Sequence, residues 1–308
     1  MSRIIGPEVI PAALAGERLD RIVAIVADVT RSVAASLVEA GGASVDGRVE
    51  RSGKLRLREG QSVSVDVALL PTKEPPAPDP GVVVDVVHCD DDVVVVSKQA
   101  GLVVHPAPGH ESGTLVNGLL HLFPEIIGVG EAMRPGIVHR LDVGTSGLLV
   151  VARTRLAYES LIDALSDHEV NRVYDALVWG HLDAGSTIVD APIGRDPRDP
   201  TRMAVVRDGK WARTKVEETR RYTEPADLGL LRCILETGRT HQIRVHLAAL
   251  DHPVVGDATY GGARSGLVVG RPMLHARRLE FDHPATGDRL SFECDPPADM
   301  AAVIAACS

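Results

Sequence analysis

The chain of 308 residues is 44% hydrophobic, 24% charged and only 3% aromatic, and it carries a formal net charge of -9. A chain of this length can bury one large core and one small one, and with so few aromatic residues those cores must be built from Val, Leu, Ile and Ala. It has no run of about eighteen apolar residues and no basic-then-apolar leader at its start, so neither a membrane span nor an export signal is indicated and a cytoplasmic location is expected.

The first periodic segment, "ERLDRIVAIVADV", places Leu19, Ile22, Val23 and Val26 on one helical face, and "TRSVAASLVEAGG" opens with a Thr or Ser cap and closes on glycine. "ASVDGRVE" then carries an Asp-Gly turn between apolar positions, and "GQSVSVDVALL" alternates as a half-buried strand does. The expected unit is two helices followed by a small hairpin-like sheet. With "RLD" opening the first helix, "TRS" the second and "GGASVDGR" leading to "LREGQSVSV", it resembles the S4 RNA-binding domain over about Gly16 to Val67. The resemblance implies that Arg31, Arg48, Arg51 and Lys54 face structured RNA.

"LLPTKEPPAPDPG" holds five prolines between Pro71 and Pro80, a composition suited to an extended linker. The expected domains are therefore residues 1–70, a linker at 71–80 and a second domain at 81–308. In the second domain, strand-like runs recur as "GVVVDVVHC", "DVVVVSK", "SGLLVVART", "RVYDALVWG", "LLRCILETG" and "RLSFEC", with helical patterns at "TLVNGLLHLF" and "RLAYESLIDALSDH". Strands outnumber helices without a regular βαβ alternation, which predicts an α+β fold on a mixed, mainly antiparallel sheet. Neither a G-x-G-x-x-G after the first strand nor a G-x-x-x-x-G-K-[ST] occurs, so no nucleotide cofactor is indicated.

Cys89, Cys233, Cys294 and Cys307 are scattered without a C-x-x-C pair and read as reduced thiols. The acidic net charge counts against a polyanionic partner only if it is evenly spread. It is not: Arg195 to Arg221 carries nine Lys or Arg against five acids, and "GRVERSGKLRLR" is also basic.

"GIVHRLDVGTSGLLVVART" sets His139, Arg140 and Asp142 within four positions, just before an apolar strand. A carboxylate fixed in such a loop can be a general base, a nucleophile or a metal ligand. A metal would need partners at ligand spacing; His139 is three residues away, but nothing nearby completes a set, and His105 and His110 form no two-ligand motif. By itself "HRLD" is equally a turn cap and a surface ion pair.

Two further segments narrow the choice. "NRVYDALVWG" places Tyr174 and Ala176 on one strand face, with an arginine two residues before the tyrosine, and "ETGRTHQIRVHLAALDHPVVGDATYG" packs Arg239, His241, Gln242, Arg244 and His246 into eight positions. With "HRLDVGTSG" and "DDVVVVSKQAGLVVHPAPGH", these resemble in order and spacing the motifs of the RNA pseudouridine synthases of the large-subunit ribosomal type, the RluA/RluD family, across about Val83 to Glu293. The resemblance implies an enzyme without cofactor or metal that breaks the bond between ribose C1′ and uracil N1 in RNA, turns the base and rejoins it through C5. It implies that Asp142 is the essential carboxylate, acting on the sugar, on the base or on the ribose C2′ proton, and that Arg244 pairs with it, since a nearby cation lowers a carboxylate pKa. Tyr174 would pack on the target base, a tyrosine of ordinary pKa about 10 being a poor base. The base must be extruded from its stack, and Arg140 would fill the space it leaves. His139, Arg239, His241 and Gln242 are expected beside the RNA, of which 23S rRNA is the first choice.

The chain departs from the family pattern at Lys98-Gln99, where Lys-Pro is usual, and at "VGTSG", where many members carry charged residues. Other readings fit parts of the same sequence. One is a catalytically silent S4-type RNA-binding protein that assists ribosome assembly; another is a metal-assisted phosphoesterase using His139 and Asp142, which a chelator would inhibit. A synthase acting on tRNA would differ only in RNA choice, which depends on shape and loop contacts that motifs do not encode.

Overall fold

The computed structural model describes residues 3–70, 74–107 and 109–308. The chain forms two compact units, Met1–Glu74 and Pro75–Ser308. The start of the expected linker, residues 71–73, lies outside the described residues.

The first unit contains β1 (Ile4–Val9), α1 (Leu19–Val26), α2 (Arg31–Glu39), β2 (Ala43–Val45), β3 (Arg48–Glu50) and β4 (Ser62–Asp66), with its strands in the order β1-β4-β2-β3 and all pairings antiparallel. Helix α1 buries Leu19, Ile22 and Val23, α2 buries Ala34, Leu37 and Val38, and both pack on Val63 and Val65 of β4. The Thr30 hydroxyl accepts from the Val33 N–H and caps α2. Asp46 and Gly47 both have positive φ, 50° and 75°, as a tight two-residue hairpin turn between β2 and β3 requires. Strand β1 was not expected, because "IIGPEV" has Gly-Pro at its centre; it sits at the sheet edge, where a missing N–H is tolerated. Asp20 is the buried charge of this unit. Burial works to raise its pKa, but hydrogen bonds from Arg18 and Arg31 outweigh that and hold it below the ordinary value.

The second unit runs β5 (Val86–Cys89), β6 (Val93–Lys98), α3 (Leu115–Leu122), β7 (Ser146–Ala152), α4 (Arg155–Ser166), β8 (Asn171–Trp179), β9 (Ser186–Asp190), β10 (Ile193–Arg195), β11 (Met203–Val205), β12 (Arg213–Tyr222), β13 (Leu228–Leu235), α5 (Gln242–Ala249), β14 (Leu274–Asp282), β15 (Arg289–Glu293) and α6 (Ala298–Ala305). Nine strands form one sheet in the order β5-β6-β7-β14-β8-β13-β12-β9, with β15 added on β14, while β10 and β11 pair separately. Every pairing among these strands is antiparallel except β7 with β14. The architecture is thus mixed and mainly antiparallel.

Both faces of the sheet centre are covered, which is why "DVVVVSK" and "SGLLVVART" are unbroken apolar runs without alternation. Val94, Val96, Leu149 and Val151 face one core with α3 and α5; Val93, Val95, Leu148 and Val150 face another with α4. Gly147 makes the β7–β14 join possible: its φ is +112°, and a Cβ there would lie 2.3 Å from the Ala276 carbonyl oxygen. That join brings the loop before β7 beside the start of β14 and next to β8.

Candidate active site

The loop that carries Asp142 is pinned from three directions. Its own carbonyl accepts from the Thr145 N–H at 3.1 Å, closing a turn, and the Val143 carbonyl accepts from the Gly101 N–H at 2.7 Å. Arg271 donates to the Gly144 carbonyl at 3.1 Å. Lys98, almost wholly buried, donates to the carbonyls of Gln99, Leu102 and Val143 at 2.8, 2.9 and 3.3 Å, tying the loop after β6 to the residue beside Asp142. Glutamine at position 99 does not disturb this arrangement, because only its carbonyl is used.

Burial lowers the Lys98 pKa to about 8, against the pull of Asp142, which raises it. The unfolded lysine holds its proton more tightly, so below about pH 8 the folded protein bears the cost of a buried charge, and that cost is relieved between about 8 and about 10.4. The neutral amine has one proton too few for three carbonyls. Pseudouridine formation is therefore expected to fall on an alkaline limb starting near pH 8, and Lys98→Met to lose that limb while working from a lower plateau; pH–rate profiles of the two proteins check this.

Arg244 comes from the first turn of α5, a helix in which Gln242, Arg244 and His246 are all buried. Its Nε and one Nη donate to the two Asp257 oxygens at 2.7 and 2.9 Å, a bidentate pair, and its other Nη donates to Asp142 Oδ2 at 3.1 Å. Its guanidinium carbon lies 5.0 Å from the centre of the Tyr260 ring. Burial opposes its charge, but the bonds to Asp257 and the field of Asp142 prevail and raise its pKa. Asp257 is completely buried and also accepts from the N–H groups of Thr259 and Tyr260. Asp257 and Tyr260 thus complete the site; both stand in "GDATYG", within the segment read from the sequence, but no role was expected of them.

His241 occupies the left-handed region, φ 56°, directly before α5, an uncommon conformation for a non-glycine residue. It turns the ring so that Nδ1 lies 2.8 Å from the Tyr260 hydroxyl and Nε2 lies 4.0 Å from Asp142 Oδ1. Burial lowers its pKa more than Asp142 raises it. The neutral tautomer that serves both neighbours accepts from Tyr260 at Nδ1 and turns Nε2–H toward the carboxylate.

Tyr174 stands on β8 among Leu231, Leu235 and Leu274, and burial pushes its pKa up to about 12. His139 accepts the Val150 N–H at Nε2, and burial lowers its pKa to about 3, so the ring is neutral and anchors the loop to β7. Arg140 is exposed at the mouth of the cleft, and Arg239 donates from Nε to the Trp211 carbonyl at 2.9 Å.

Gln242 corrects an expectation. Its carbonyl accepts from Thr237 and the Arg239 N–H, and its amide donates to the Arg213 carbonyl and Thr214. All its hydrogen-bonding capacity is spent inside the protein, so it braces α5 and has none left for RNA. In the first unit Arg31, Arg48, Arg51 and Lys54 are all exposed, with Arg31 also bonded to Asp20 and Arg51 to the Glu39 carbonyl.

In the second unit a cleft of about 440 Å³ is lined by Asp142, Tyr174, Arg244, His139, Arg140, Arg239 and His241, among others. Its walls carry Arg134, Arg140, Arg172, Arg239 and Arg244 against one carboxylate, Asp142, so an acidic protein presents a locally cationic, concave site.

Comparison with known proteins identifies the family. The model of the family described as RNA pseudouridylate synthase matches residues 92–249, which include Asp142, Tyr174 and Arg244. An uncharacterized RNA pseudouridine synthase of Bacillus subtilis is 42% identical over 94% of this chain and 93% of its own length. A protein of Xanthomonas campestris named ribosomal large subunit pseudouridine synthase D is 42% identical over 97% of this chain and 91% of its own. The solved structure of human RNA pseudouridylate synthase domain containing 1 superposes with a TM-score of 0.59 at 28% identity, covering 75% of this chain and 90% of that one. The chain belongs to the RNA pseudouridine synthase family and is an enzyme that isomerises uridine in RNA.

Proposed function

We propose that the enzyme converts uridines of large-subunit ribosomal RNA, 23S rRNA, with Asp142 as the reacting carboxylate and the first unit as an S4-like RNA-binding domain. The observation that carries the reading is the Asp142–Arg244 pair at 3.1 Å inside a cleft whose other charges are arginines. Relatives with the same reach along the chain are named for the large ribosomal subunit, which supports this choice of RNA.

The reaction conserves atoms: the C1′–N1 bond breaks, a C1′–C5 bond forms, and C5 loses a proton while N1 gains one. Arg244 engages Oδ2 of Asp142, which leaves Oδ1, the oxygen beside His241, to meet the nucleotide. Tyr174 stays a phenol at neutral pH and acts by packing against the base. Arg140, exposed at the cleft mouth, stacks in the space that the extruded base vacates. In the first unit, the exposed Arg31, Arg48, Arg51 and Lys54 contact phosphates of the RNA.

Carbodiimide mapping of pseudouridine in total RNA tests this reading in cells lacking the protein, complemented with the intact chain or with Asp142→Ala. Sites in 23S rRNA restored only by the intact chain are the expected result. Restoration confined to tRNA would overturn the choice of RNA, and restoration by Asp142→Ala would overturn the role of the aspartate.

A further inference from the structure

Arg172 has no role in the site as described so far. It stands on β8 two residues before Tyr174, on the same strand face, and lines the cleft. Only 5% of it is exposed, yet among the described residues it meets no carboxylate within 4 Å. Among the described residues its Nε is buried without a partner, and its one side-chain hydrogen bond is a long one, 3.4 Å from Nη2 to the Glu236 carbonyl. Of the other cationic groups of the cleft wall, Arg140 is exposed to solvent, Arg244 has two aspartates, Arg134 has Glu131, and Arg239 has the Trp211 carbonyl.

The surroundings are nonetheless shaped to hold this guanidinium. At Gly238 a Cβ would lie 2.6 Å from Arg172 Nη1, so the absence of a side chain there lets the guanidinium lie close against the turn after β13. Burial works against the charge and Arg239 opposes it. A desolvated cation with so few acceptors is costly to keep. The cost is recovered if an anion arrives with the substrate, and a planar fork of N–H donors suits a phosphate better than any neutral uracil oxygen.

We propose that Arg172 binds a phosphodiester group of the RNA strand adjoining the target uridine, so that the charge left without a partner in the free enzyme is neutralised by the substrate. This rests on the reading of the cleft as the site of uridine isomerisation. It makes Arg172 a substrate-binding residue that acts on RNA retention and placement.

The test uses the full-length chain in an Asp142→Asn background, so that bound RNA is not converted, and a stem-loop oligonucleotide of the rRNA around a uridine that the intact enzyme converts. Arg172→Met is expected to weaken binding about tenfold, and to make the plot of log affinity against log salt shallower by about 0.7–0.9. The melting temperature is expected to hold or rise, because a buried charge without a partner has been removed. A neutral methylphosphonate scanned through the phosphates on either side of the target should weaken binding to the Arg172 protein at one position and cost nothing further there with Arg172→Met. An unchanged salt slope, or methylphosphonate losses that add to the arginine loss at every position, would overturn the proposal and leave Arg172 as packing or as a contact to the base. If the intact enzyme converts no uridine of rRNA, the rRNA reading falls on that result alone, and the same comparison on a stem-loop of the RNA that it does convert decides the role of Arg172.

Discussion

Asp142→Asn is expected to lower pseudouridine formation by about 10⁴-fold or more, the scale seen when a reacting side chain is removed from an otherwise intact site. The change is nearly isosteric. Asp142 keeps its turn through its main-chain carbonyl, and Arg244 keeps its bidentate bond to Asp257, so the fold and RNA binding should persist. What is lost is the negative charge at Oδ1, the oxygen that Arg244 does not hold. Because the reaction expels the C5 proton, RNA tritiated at uridine C5 reports turnover as tritium released to water. Asp142→Glu keeps the charge but moves the carboxylate by the length of one methylene, and a displacement on the order of 1 Å from a productive geometry costs about 10²-fold. Asn releasing tritium as fast as Glu would show that charge at this position is not what the reaction uses. In that case the chemistry would have to be moved to another group in the cleft.

Much of this was legible in the sequence, and the elements that were not share a physical reason. The helices of the first unit, α3, α4 and the strands β6, β7, β8 and β13 announce themselves because their apolar residues follow helical spacing or form unbroken runs. Helix α5 does not, since its buried side includes Gln242, Arg244 and His246. A chain of hydrogen bonds satisfies them: Gln242 Nε2 donates to the Thr214 hydroxyl, which donates to His246 Nδ1, and His246 Nε2 donates to the Ala191 carbonyl. Polar and apolar residues alternate from Gln242 to Leu247 and all of them are buried, so a periodicity argument finds no helical apolar stripe there. Strand β12, "RTKVEETRRY", is masked in the same way by charges on its outer face, although Thr214, Val216 and Tyr222 point inward. Within the site, Asp142, Arg244 and Tyr174 stood out through a resemblance of motifs; all three line one cleft, and Asp142 and Arg244 lie 3.1 Å apart. Asp257 and Arg172 did not, because their importance lies in what surrounds them: a carboxylate with a buried cation, and a buried cation without a carboxylate. Neither fact is written in the neighbouring residues of the chain.

The Asp142–Arg244–Asp257 chain yields a prediction in which two losses partly cancel. Arg244→Met leaves Asp257 fully buried with no cation, and removing one partner from a buried pair destabilises by about 3–5 kcal/mol. It also frees the Asp142 side chain from its arginine partner, and activity should fall by about 10²–10³-fold, mainly in kcat. Arg244→Lys keeps a charge, but a single ammonium cannot reproduce a fork that grips both Asp257 oxygens while reaching Asp142; it should recover part of the stability and little of the rate. Asp257→Asn can still accept the Thr259 and Tyr260 N–H groups, yet it loosens the arginine, so it should lower kcat by about tenfold with little effect on the KM for RNA. The double variant Arg244→Met with Asp257→Asn should then be more stable than Arg244→Met alone, because the second change removes the stranded charge, while its rate stays at the level of Arg244→Met. Independent contributions would instead make the double variant the least stable of the set and add the two rate losses. Urea unfolding of the full-length proteins, read beside tritium release, separates these outcomes. Additivity in both would show that Asp257 acts on the fold and not through Arg244.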